Sequence, residues 1–153
     1  MGVHAFDAFC KSNFNFQGDA VHAEEINPEW PNALRWFLAH ELHRFSPWRF
    51  IDKLGKTDSV EKAFSREDLM HREVFVFAFR QDCDDFAGLE VVAGKVTDRV
   101  IYFHPSFGTN VPGWNIVEGT FVDVFEFVAQ QVIPDMRDWA STTDASEVKQ
   151  QDN

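Results

Sequence analysis

"EVFVFAFRQDCDDFAGLEVV", residues 73–92, decides the fold. Residues 74–79 form a nearly unbroken apolar and aromatic run. Such a run suits a central strand covered on both faces. "FAGLEVV", 86–92, reads as a second strand. Between them, "RQDCDD" is polar, and Asp favours turns because its short side chain bonds nearby backbone groups. "RVIYFH", 99–104, supplies a third strand, and three consecutive strands with short links predict an antiparallel meander.

Helices are expected on either side of the meander. In "PNALRWFLAHELHRF", 31–45, Pro31 suits a first turn, and Leu34, Phe37, Leu38, Leu42 and Phe45 recur at helical spacing. Pro47 then marks a boundary and Gly55 a turn. "DSVEKAFSREDLM", 58–70, predicts a shorter helix on Val60, Phe64 and Leu69. "FVDVFEFVAQQVI", 121–133, places Phe121, Val124, Phe125, Val128, Ala129 and Val132 on one helical face, ended or kinked by Pro134. The fold class read from this order is α+β, a single domain whose central antiparallel β-sheet packs against helices. Its core spans 31–133. Residues 1–30 form an extension of the same domain without a clear element, and 134–153 a flexible segment whose "STTDASEVKQQDN" lacks bulky apolar residues.

The chain of 153 residues is of single-domain size. Its formal net charge of -11 repels phosphate backbones and argues against direct nucleic-acid binding. The same charge attracts a basic protein, and it also serves solubility. Two cysteines, Cys10 and Cys83, do not make a disulfide framework, and the start carries neither a signal peptide nor a myristoylation pattern. No apolar run approaches a membrane span. A cytoplasmic location is the expectation.

The acidic turn invites a metal reading. Counted from Asp82 as an EF-hand loop, Asp84 fits the third position, but Phe86, Ala87 and Ala93 occupy the fifth, sixth and twelfth. A two-carboxylate magnesium site remains open, as does a plain turn. In "HELH", His40 and His43 are three apart, whereas the zinc-protease helix needs four. Cys83 with His71 or His104 would make a thiol–imidazole pair only if the fold joined them. There is no nucleophile elbow, phosphate-binding loop or CxxC motif. No catalytic residue, cofactor or metal is assigned. Trp30, Trp48, Trp114 and Trp139, with Phe107, fall near loops or element ends, where rings either cap the core or form an apolar patch with an acidic rim.

"VFVFAFRQDCDDFAGLEVVAGKVTDRVIYFHPSF" followed by "FVDVFEFVAQQV" resembles the core of the SUKH superfamily, as a divergent member. That superfamily includes the yeast cell-wall-assembly regulator and bacterial immunity proteins that neutralise toxins. Phe77–Phe79 match its strand before the turn. Asp84, Asp85, Phe86 and Ala87 match the turn and the next strand, and Val100–Phe103 the strand after it. Phe121 and Phe125 match the terminal helix, Trp48 an aromatic ahead of this region, and "PNALRWFL" the early helix. The resemblance implies a single α+β domain and no catalytic set. It implies a non-enzymatic protein-binding module that neutralises a bacterial toxin by binding it, with a protein partner such as a basic toxin domain. Loop placement makes Asp82, Asp84, Asp85, Phe107 and Trp114 the expected partner contacts. Two alternatives stand beside it: a small metal-assisted hydrolase or transferase using Asp84, Asp85 and His104, and a homodimeric regulatory or scaffold protein.

Overall fold

The computed structural model describes residues 26–51, 57–108 and 113–151, with side chains to Val148. The expected N-terminal extension, apart from its last five residues, lies outside them, as does Cys10. The elements in chain order are α1 (Asn32–Ala39), β1 (Arg44–Phe45), β2 (Trp48–Phe50), α2 (Asp58–Glu67), β3 (Glu73–Arg80), β4 (Phe86–Val92), β5 (Lys95–Phe103), β6 (Val117–Phe121), α3 (Val124–Phe127), a π-helical turn (Val128–Val132), α4 (Ile133–Ala140) and α5 (Ala145–Gln151). The strands form one antiparallel sheet in sequence order, so the meander of three is the centre of a meander of six. The α+β fold class read from the sequence is the observed one. No described helix is long and apolar enough to cross a membrane.

Strand alternation sends side chains to two cores. On one face Phe77, Ala87, Leu89, Val100 and Tyr102 meet Leu34, Phe37 and Leu38 of α1, Trp48 of β2, and Val124, Phe127, Val128 and Val132 of the C-terminal helical run. On the other, Val74, Val76, Phe79, Phe86, Ile101 and Phe103 meet Val60 and Phe64 of α2. Double coverage is why residues 74–79 carry almost no polar side chain. The register slips between Val76 and Ala78, and the extra residue lets consecutive Phe77 and Ala78 join the same core. Gly88 is small of necessity, because a Cβ there would lie 2.9 Å from Val74 Cβ.

Several boundaries differ from the sequence reading. Helix α1 stops at Ala39 instead of running to 45, because Glu41 takes a left-handed φ of 57°. The Leu42 and Glu41 amides then bond back to the Phe37 and Leu38 carbonyls, a Schellman ending that usually uses glycine. Arg44 to Phe50 becomes a short hairpin across a cis Ser46–Pro47 bond, unforeseen in the sequence. In the second helix Leu69 falls beyond the end and is exposed. Phe121 is the last residue of β6, not a helix residue. Asp123 caps the helix by accepting from the Glu126 amide at 2.9 Å, and Glu126 reaches back to the Val122 amide at 2.6 Å. With that start, Phe127 is buried in place of Phe125, and Ala129 is exposed. Pro134 neither ends nor breaks the run. It sits in the first turn of α4, just after the π turn, where its missing N–H costs little. The expected frayed tail contains α5, started by Asp144, whose carboxylate accepts from the Ser146 amide and hydroxyl.

Candidate functional site

An antiparallel meander brings alternate connections to the same end of the sheet. The β3–β4 turn and the β5–β6 connection are therefore neighbours. Phe86 lies opposite Phe103, and one step further along the same register Asp85 lies opposite His104. His104 Nδ1 is 2.5 Å from Asp85 Oδ1, and its Nε2 is 3.3 Å from Asp84 Oδ1. The Tyr102 hydroxyl donates to the other Asp85 oxygen.

Burial alone would lower the imidazole pKa. The Asp85 hydrogen bond and the charges of Asp84, Asp85 and Glu118 overcome it and raise His104. Asp84 is raised by burial, against the pull of His104. Burial, then the Asp85 and Asp82 carboxylates, push the Cys83 thiol far above the ordinary range, so a thiolate nucleophile is opposed by its surroundings. Cys83 is a free thiol.

In this cluster an imidazole lies between two carboxyl groups, and both favour its protonated form. Each imidazole nitrogen faces one carboxylate, and Asp85 is already engaged by His104 and Tyr102. Asp84, Asp85 and His104 do converge, as the enzyme alternative requires; both Asp85 oxygens are engaged, whereas Asp84 meets His104 through one oxygen at 3.3 Å. Among the described residues no group of three or more His, Cys, Asp or Glu is arranged to hold a metal ion.

A second network ties the turn to the body. Arg80 donates through Nε and Nη2 to Asp82 at 2.9 and 2.8 Å, and through Nη1 to Asp135 of α4 at 3.2 Å. The same Asp135 oxygen accepts from the indole of fully buried Trp48 at 2.8 Å and from Gln131 at 2.8 Å. On the far side of the turn, buried Glu67 at the end of α2 accepts from the Ser106 amide at 2.8 Å and its hydroxyl at 2.5 Å. That clamp fixes the segment carrying Phe107, whose φ is 53°.

Of the five expected contacts, four reach this end of the sheet with surface. Trp114 is 63% exposed and Phe107 37%. The Asp82 side chain is 32% exposed and that of Asp84 17%. Asp85 is the most buried of the three aspartates, its side chain 12% exposed and both its oxygens engaged by His104 and Tyr102, so it serves as an internal acceptor. Trp48 is likewise core, and Trp30 packs on Phe75 with ring centroids 5.4 Å apart. His40 stacks on Trp36 while His43 lies past the helix end, so "HELH" presents no shared face. His71 bonds the Ser65 carbonyl, away from Cys83. Sequence reasoning missed Tyr102, Arg80, Glu67 and Glu118. Extending the 86–103 pairing one step would have found Asp85 and His104 as partners, whereas Glu67 and Asp135 are too distant in sequence to leave a signal.

Elsewhere, a groove of about 740 Å³ opens between the β1–β2 hairpin and the α4–α5 corner, lined by Arg44, Ser46, Met136, Trp139 and Val148 among others. It shares no lining residue with the acidic end. Comparisons of the chain with protein-family models, curated proteins and solved structures found no match.

Proposed function

We propose that this chain is a protein-binding module of the immunity-protein kind, which occludes the active site of a basic toxin domain by covering it. The observation that supports this reading is the gathering of Asp82, Asp84, Phe107 and Trp114 at one end of the sheet. Apolar rings beside carboxylates are the composition of a recognition patch, with rings as anchors and charges as rim. The net charge of -11 steers a basic partner toward it and speeds encounter. The internal bonds of Arg80, Asp85 and Glu67 hold the patch in place before binding, which lowers the ordering cost. The SUKH resemblance points the same way. The test is co-expression with the product of the adjacent gene: co-purification and relief of its toxicity are expected. A neighbouring toxin that neither binds nor is neutralised would refute the reading.

One observation favours a second reading, a small hydrolase or transferase: Asp84, Asp85 and His104 meet. In that case His104→Gln would abolish a turnover, whereas in the binding reading it changes stability and leaves neutralisation largely intact.

A further inference from the structure

The sheet has two edges, and they are built differently. Natural sheets blunt an edge with very short strands, proline, lysine or a covering element. The β1 edge follows this practice: it has two residues, Arg44 and Phe45, and turns at Pro47. The β6 edge does not. It runs for five residues, "VEGTF", without proline or lysine, and among the described residues it pairs on one side only.

The hydrogen-bonding direction along β6 follows from the register. The His104 amide bonds the Ile116 carbonyl, so His104 faces β6. Direction alternates along a strand, and Tyr102 and Val100 therefore face β6 as well. Their partners Gly119 and Phe121 face inward. Thr120 must then point its N–H and C=O away from the sheet, and no described strand lies beyond it. Thr120 and Glu118 are exposed, and exposed Trp114 and Val122 flank the strand at its two ends.

We infer that β6 accepts an extended, basic segment of the protein partner as a seventh strand, antiparallel or parallel to it. Backbone groups at Thr120 supply the pairing, Glu118 attracts lysine or arginine side chains, and Trp114 and Val122 offer apolar contact at the strand ends. A second copy of this chain is the poorer occupant. Pairing β6 with itself about Thr120 would set Glu118 opposite Val122, giving it no cationic partner, and would bring together two bodies of charge -11. The inference rests on the partner-binding reading and adds to it the mode of contact and the chemistry of the bound segment.

The probe is a nine-residue peptide alternating Lys and Val, compared with the same peptide methylated at every interior backbone nitrogen. Amide hydrogen exchange is read at Thr120 by NMR. Expected is slowing of the Thr120 amide by about tenfold or more with the first peptide, lost with the second, as one backbone hydrogen bond of ordinary net strength requires. Glu118→Lys should weaken binding, as should Thr120→Pro, which removes an outward N–H that an edge strand can spare. No slowing, or equal binding of the methylated peptide, would overturn the inference, as would a dimer in sedimentation with Thr120 already protected. If the toxin domain binds and Thr120→Pro leaves its affinity unchanged, the edge inference fails while the partner reading stands. If no toxin domain binds, the partner reading itself has failed.

Discussion

His104 shows how one residue settles what the acidic turn is. The turn puts Asp84 and Asp85 beside each other at the end of a sheet, where two carboxylates would repel, and the His104 imidazole between them balances that charge when protonated. The consequence is a pH dependence of known sign. The folded-state pKa of His104 lies above its unfolded value of about 6.5. Its contribution to stability is therefore complete below that value and is lost as pH rises through the folded pKa. Asp84, whose pKa is raised chiefly by burial, opposes folding in its charged form, a loss that begins in the acid range as pH rises above 3.8. Denaturant unfolding of the wild type should weaken between pH 6 and 9 by about 0.5–1 kcal/mol, the scale of a partly exposed ion pair. His104→Gln should be flat across that window. A variant that keeps the wild-type slope would remove His104 as its source. The pairing was half legible in the sequence. Strands at 86–92 and 99–104 imply it once the register is counted, but the polar run alone reads equally well as a free turn.

At the scale of elements, the three central strands were legible, whereas β1, β2, β6 and the ends of the helices were not. Val74–Phe79 reads as buried because both sheet faces are covered, and its apolar content says so directly. Helix α1 misled because Glu41, not glycine, takes the left-handed position, so nothing in "AHELHRF" announces the stop. The starts of α3 and α5 did leave a signal that the reading passed over, the pairs Asp123 with Glu126 and Asp144 with Glu147, acidic caps followed three residues later by Glu. Two predictions belong here. The β4–β5 hairpin turns through Ala93 and Gly94, both at positive φ of 52° and 77°, the geometry of a type I′ turn. Alanine pays for that conformation, so Ala93→Asn should stabilise the protein by roughly 0.5–1 kcal/mol in thermal unfolding. Gly88→Ala should do the reverse. Its new methyl meets Val74 Cβ at 2.9 Å within a covered sheet, and a loss of about 1–3 kcal/mol is expected. An unchanged melting curve would contradict the packing described for that face.

For the whole molecule, the proposed binding reading requires the acidic charge and the sheet end to work together. Charge without anchors would leave only a soluble surface, and rings without charge would not favour a basic partner. The sequence placed Asp82, Asp84, Phe107 and Trp114 in separate loops. The pairing of β4 with β5, Phe86 opposite Phe103, is what puts those loops side by side. The proposed partner reading is tested most directly by titration calorimetry of any toxin domain encoded beside this chain's gene, with wild type and with the Asp82→Ala, Asp84→Ala, Phe107→Ala, Trp114→Ala variant. The account predicts a tight complex with the wild type and a loss of about 100-fold or more in the variant, since clustered anchors of this kind each cost more than about 1 kcal/mol on truncation. Equal affinity of a folded variant and the wild type would contradict it.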